Sequence, residues 1–217
     1  MKKKIAVEAV LTNAANEVEK ALEVLRNAGK VISDRGASEV IAEVSVPEEG
    51  IYLVYKDGTF MPFTGKEKKE GVSGIGVVYD GHAFKVSLEG LGEQQLIKDE
   101  KNRCPEDSPF YKTECEGLHD WDFVSATNHL KECGMDMPLP DGWYIPTLAV
   151  LEVMCFLKEK INKALKYAGG EAMPNDYHWS STEYSRSYAR YVGFSNGSAY
   201  GNGKYYGYVV RPVTAFI

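Results

Sequence analysis

The sequence predicts an α+β domain behind a short N-terminal extension. Three observations carry that expectation. Strand-like and helix-like runs are segregated along the chain, in the order helix, strands, helix, helix, strands, rather than alternating as a doubly wound sheet requires. Two Asp-Gly dipeptides, Asp57-Gly58 and Asp80-Gly81, each join two β-rich runs, a strong hairpin signal. Two later helical stretches have capping residues in front and glycines behind.

Taken in order, "NAANEVEKALEVLRNA" (13–28) places Val18, Ala21, Leu22 and Leu25 at helical spacing, with Gly29 as its stop. One such helix cannot bury its stripe alone, so it must pack on the main domain or on another copy of itself. "EVIAEVSV" alternates as a strand before Pro47. "GIYLVYKDGTFMPF" and "GIGVVYDGHAFKVSLEG" are the two hairpins, and residues 93–115 read as a charged loop or insertion. "DWDFVSATNHLKECG" reads as a helix with Asp122 as N-cap and Gly134 as stop. "GWYIP" is strand-like, and Thr147 caps a further helix that breaks or continues to Tyr167 before Gly169-Gly170. The remaining residues show no helical period and read as short strands and turns.

Composition excludes several function classes. The net charge is −6 over 217 residues, whereas nucleic-acid affinity rests on a basic surface. No apolar run approaches the ~20 residues of a membrane span. Lys2, Lys3 and Lys4 precede an apolar stretch too short and interrupted for a secretory signal, so a cytoplasmic protein is expected, or one carried in a phage virion. Cys104, Cys115, Cys133 and Cys155 show no C-x-x-C, and the histidines show no H-x-x-x-H, so no metal site or cofactor is expected. Reduced thiols are the expectation by compartment, with a Cys104–Cys115 bridge as the alternative.

Catalytic motifs fail on context. "GFSNG" (193–197) matches the nucleophile-elbow pattern, but Ser195 is followed by no helix, and Asn196-Gly197 reads as a two-residue hairpin turn. "GVSGIG" (71–76) opens a strand, not the helix a phosphate loop needs. "NGS" at 196–198 matters as a glycosylation acceptor only in a secreted chain, and "MPND" lacks the further oxygen ligands of a calcium loop. No catalytic residue is assigned.

The residues from Glu183 to Tyr208 stand apart. Tyr, Gly, Ser and Asn fill 18 of the 26 positions, and half of the chain's 14 tyrosines lie here. Val192 and Phe194 alternate before the turn, and Val209, Val210, Val213 and Phe216 follow, so ordered strands frame the run. This is the composition of paratopes. Tyrosine supplies large contact area at low entropy cost, and the small polar residues supply adaptable hydrogen bonds. The segment is expected to be a binding face.

"DGWYIPTLAVLEVM", "YHWSSTEYS", "ARYVGFSNG" and the terminal "VRPVTAF" together resemble the C-type lectin fold of the formylglycine-generating-enzyme type. More narrowly, they resemble the variable proteins of diversity-generating retroelements found in gut Bacteroidales and their phages. The resemblance runs from about Gly50 to the C-terminus, which divides the chain into an extension (1–48) and a lectin-like domain (49–217) with a variable face at 183–208. In that family adenine-directed mutagenesis diversifies asparagine codons, reaching Tyr, Ser, Gly, Asn, Arg and Ala but not Lys or Trp. Tyr184, Arg186, Ser187, Tyr188, Arg190, Gly193, Ser198, Tyr200, Gly201, Asn202, Tyr205, Tyr206 and Gly207 fall within that set. Trp179, Lys204, Arg211 and Pro212 stay outside it or flank it as framework.

The resemblance implies a hypervariable surface that binds an unknown protein or surface ligand, as a phage tail receptor-binding protein does. The absence of cysteine after Cys155 departs from the oxidases of this fold. The alternatives are an enzyme of the same fold with an unidentified site, and a structural virion or surface protein. The N-terminal helix is the candidate element for homo-oligomer assembly.

Overall fold

The computed structural model describes residues 47–99 and 104–216. The helix expected at 13–28 and the strand expected at 39–46 lie outside the described residues. The rest belongs to one compact unit, Pro47–Ile217.

The architecture is α+β, with two five-stranded sheets and four helices among the described residues. Strands β1 (Gly50–Tyr55), β2 (Phe60–Pro62), β3 (Val72–Tyr79) and β4 (His82–Val86) form the first sheet with the last strand, β10 (Val213–Thr214). Its order is β10-β4-β3-β1-β2. Both Asp-Gly signals are hairpin turns. Asp80 (φ 48°) and Gly81 (φ 74°) take the left-handed conformation that a tight two-residue turn demands, so Tyr79 pairs with His82. The glycine-rich "GVSGIG" lies in β3, not in a phosphate loop. A Cβ on Gly76 would meet the Phe216 ring at 2.8 Å, so this glycine lets the C-terminal segment lie across the sheet.

Two short elements bound the stretch expected to be a charged loop: β5 (Glu93–Gln95) at its start and α1 (Glu114–Gly117) across its end. Thr113 and Glu116 form a reciprocal capping box that starts α1. Helix α2 (Phe123–Glu132) begins where expected, with the Asp122 carboxylate accepting from Ser125 N at 2.9 Å. The next helical stretch does break, into α3 (Leu148–Phe156) and α4 (Lys158–Ala168), and Gly169 closes it at φ 82°. Helix α3 is apolar almost all round and buried on nearly every side, because both sheets contribute to the core around it. Leu53, Ile75, Val77 and Phe84 of the first sheet join Leu148, Leu151 and Met154 in that core, with Val192 and Phe194 from the second.

"GWYIP" makes no strand. Tyr144 forms an isolated antiparallel bridge to Val213. The second sheet holds β5, β6 (Tyr177–Ser185), β7 (Tyr188–Gly193), β8 (Ser198–Gly203) and β9 (Gly207–Val209), in the order β5-β9-β6-β7-β8. A second, smaller core of Leu96, Leu130, Met135, Ile145, Trp179, Ala189 and Val210 packs beside it.

Candidate binding surface

Strand β6 carries "YHWSSTEYS", and the structure gives its polar side chains specific partners. Trp179 donates its indole N–H to the carbonyls of Gln94 (3.0 Å) and Tyr206 (3.1 Å), tying β5 to the 203–207 turn. Ser180 donates to Arg190 O at 2.9 Å, and Ser181 to Ile145 O at 3.1 Å. Thr182 Oγ1 accepts from Leu148 N at 2.8 Å. The expected cap of α3, Thr147, makes no capping hydrogen bond, so the helix start is held from the neighbouring strand instead.

Glu183 is fully buried and pairs through Oε1 with Lys204 Nζ, itself buried. Burial pushes the Glu183 carboxyl up and the Lys204 ammonium down, and each partner opposes the other's shift. Removing one member of such a pair strands an uncompensated charge, a cost of roughly 3–5 kcal/mol. Arg211 of "VRPV" is buried as well. It donates to Leu88 O at 3.0 Å and Glu171 O at 3.1 Å, fastening two loops to the C-terminal segment.

The thiols are not arranged as expected. Cys104 and Cys133 are disulfide-bonded, whereas Cys115 is exposed and free, which excludes the Cys104–Cys115 pairing. The reason is topological. Cys104 N donates to Arg186 O, which lays the 104 segment along the end of β6 and against the C-terminus of α2. Around this bond, His129 Nε2 stands 3.0 Å from Ser108 Oγ, 3.5 Å from Cys133 Sγ and 3.1 Å from Glu183 Oε2. Phe110 stacks on the His129 ring at 4.4 Å.

On this frame sit the residues singled out by sequence, and they do not share one face. Antiparallel partners project to the same side of a sheet and alternate along each strand. Tyr188, Arg190 and Gly201 therefore project to one side, and Ser198, Tyr200 and Asn202 to the other, by the register Arg190↔Gly201 and Tyr191↔Tyr200. Tyr184 joins the first group. Its ring contacts Tyr188 (centroids 5.6 Å apart), lies under the Arg190 guanidinium (4.7 Å) and covers Gly201.

On the second side, Tyr200 meets Tyr191, and Tyr191 meets Tyr208 and Tyr177, in a continuous patch of rings with centroids 4.7–5.7 Å apart. Asn202 donates to the Tyr208 hydroxyl at 2.6 Å. Burial, followed by its tyrosine neighbours, pushes the Tyr191 hydroxyl up to about 12. Arg186 and Ser187 occupy the β6–β7 turn. Tyr205 and Tyr206 lie on the approach to β9, and Gly207 begins it. Tyr184, Tyr188, Tyr200 and Tyr206 are each 39–48% exposed. Gly193 is buried, and a Cβ there would meet Asn196 Oδ1 at 2.8 Å, so it offers no side-chain contact.

The β7–β8 connection also differs from expectation. Gly193 pairs with Ser198, which makes a four-residue loop (194–197) in which Gly197 alone has positive φ (70°). Phe194 is the cause. Its ring is buried and stacks on His178 at 3.8 Å, pulling the chain off the ladder before Asn196.

Sequence reasoning named Lys204 as framework but missed its buried partner Glu183, and it missed the group around His129. Separation in sequence hid the first. A local signal existed for the second, since His129 and Cys133 are four apart at the end of one helix.

Among the described residues, no helix is long and apolar enough to cross a membrane. No family model matches the chain, and no curated protein matches its sequence. A solved structure does: a fimbrial protein from Bacteroides ovatus ATCC 8483, 17% identical, with a TM-score of 0.51 over 77% of this chain and 48% of that one. The chain thus spans about half the length of that protein, and at this identity the likeness speaks for the fold alone.

Proposed function

We propose that the chain is a binding module, a C-type lectin-like domain that presents the tyrosine-rich strands β6–β9 to a protein or surface ligand, with positions on them diversified by a retroelement. The observation that carries this reading is the division of labour within one sheet. Buried Trp179, Glu183, Lys204 and Arg211 bind framework to framework, while Tyr184, Tyr188, Tyr200 and Tyr206 keep large exposed rings. The fold likeness to a fimbrial protein supports a surface or binding protein rather than an enzyme. The Cys104–Cys133 bond supports an oxidising compartment over the cytoplasm, such as a cell or virion surface.

A structural surface protein is the second reading, and the same fimbrial likeness favours it. Sequencing the 3′ end of the gene across sibling isolates separates the two. Diversification predicts substitutions concentrated at the exposed positions of 184–207, with Trp179, Glu183, Lys204 and Arg211 unchanged; differences spread evenly along the chain would end it. Once a ligand is captured, serine at Tyr184 and Tyr188 on one side, or at Tyr200 on the other, whichever side the ligand covers, should weaken binding at least tenfold with little change in Tm.

A further inference from the structure

We propose that Cys104, His129, Cys133 and Glu183 are the four ligands of a tetrahedral zinc-type site, which the chain fills when the Cys104–Cys133 bond is reduced. One ligand atom from each residue lies within 4.8 Å of the others, and Cys104, His129 and Glu183 are buried. Thiolate, imidazole and carboxylate are the donor types zinc takes, and four ligands with no open position make a structural site.

Two of the ligand-to-ligand distances come close to this geometry. With metal–ligand bonds of about 2.0–2.3 Å, a tetrahedron has edges of about 3.3–3.8 Å. His129 Nε2 lies 3.5 Å from Cys133 Sγ and 3.1 Å from Glu183 Oε2. Once the bond is opened, the two sulfurs need to move apart to an edge of about 3.8 Å.

Glu183 divides its two oxygens in the way a ligand would. Oε1 is held by Lys204 and stands 2.8 Å from Cys104 Sγ, whereas Oε2 is buried and faces the His129 nitrogen at 3.1 Å. Lys204 Nζ also stands 3.1 Å from Cys104 Sγ, where it would donate to a thiolate and orient it, as second-shell groups do in metal sites.

Charge gives an independent argument. In the bonded state the buried group holds one carboxylate and one ammonium, and is neutral. With zinc it holds one carboxylate, two thiolates, one ammonium and a dication, and is neutral again. A buried cluster is tolerated only when compensated, and Lys204 makes both states so. Without that lysine the filled site would carry a net negative charge. Conversion balances: a dithiol reductant supplies two electrons and two protons, giving two thiols and its own cyclic disulfide. Zinc then displaces the two thiol protons into solvent.

The test uses the full chain, reduced or oxidised, incubated with zinc and desalted before metal analysis. The reduced protein should retain one zinc per chain and the oxidised protein none. Below the thiol pKa, apparent affinity should rise toward ~100-fold per pH unit as two protons are released. Cobalt(II) in place of zinc should give thiolate-to-metal charge transfer and the intense visible bands of a tetrahedral ion. Cys133→Ser and His129→Gln should each lower zinc affinity at least tenfold, and Cys115→Ser with Cys155→Ser should leave it unchanged. Failure of folded, reduced protein to retain zinc, or equal retention by Cys133→Ser, would overturn the site. If Cys133→Ser does not fold, the wild-type cobalt spectrum decides, and the weak bands of an all-oxygen octahedral ion would overturn it too. The tyrosine surface takes no part in these readouts, so either proposal can fail without the other.

Discussion

At the scale of the residue, His178 shows how tightly the framework under the tyrosines is specified. It is fully buried, its Nδ1 lies 3.0 Å from Asp176 O, and its ring stacks on Phe194. Its Nε2 has no hydrogen-bond partner. Burial above all, aided by the positive charges of Arg211 and Lys158 and opposed by Asp176, pulls the imidazole down to about 4 from an ordinary 6.5. The folded chain therefore holds a neutral histidine where the unfolded chain binds a proton. The contribution of His178 to stability is complete above pH 6.5 and falls as the pH drops toward 4, by roughly 3 kcal/mol for a shift of this size. Urea midpoints measured from pH 7 to 4 should decline steeply, and His178→Gln should flatten that decline while lowering the midpoint at pH 7. A wild-type midpoint that does not move between pH 6.5 and 4.5 would contradict the assignment.

At the scale of the element, the strands make the candidate contacts interdependent. An ideal Cβ on Gly201 would overlap the Tyr184 ring, which reaches across β7 to cover that position. A side chain at 201 requires Tyr184 to swing away or shrink. Large residues at 201 are thus expected to accompany small ones at 184 among siblings. In a double-mutant cycle, Gly201→Ser and Tyr184→Ser should couple by about 0.5–3 kcal/mol in stability, and additivity would show that the ring moves freely.

Elements whose signals are local were legible in the sequence. Asp122 and Gly134 bracket α2, and Asp80-Gly81 makes its turn, because caps and turns are decided by neighbouring residues. Asn196-Gly197 misled because the deciding event is the burial of Phe194 against His178 and the core, which no local pattern records. The disulfide joins residues 29 apart and depends on where β6 ends, so spacing alone could not find it. The candidate positions were chosen from composition. Their division between two faces needed the register of β7 with β8.

At the scale of the whole molecule, the described domain has its own core, with the tyrosine-bearing strands in one sheet and the C-terminal strand returned to the other. The N-terminal extension is therefore expected to be separable from recognition. Deleting Met1–Val46 should alter the oligomeric state and leave ligand binding intact. An unchanged mass in light scattering would refute the assembly role.

The Glu183–Lys204 pair has a consequence at the level of the gene. Both lysine codons begin with two adenines, so a mutagenesis aimed at adenine would strike position 204 as readily as its tyrosine neighbours. A hit that removes the cation would leave the buried Glu183 carboxylate without its partner. Under the proposed diversification the pair would limit the yield of foldable variants and act as a filter, since a surviving clone would have kept a cation at position 204.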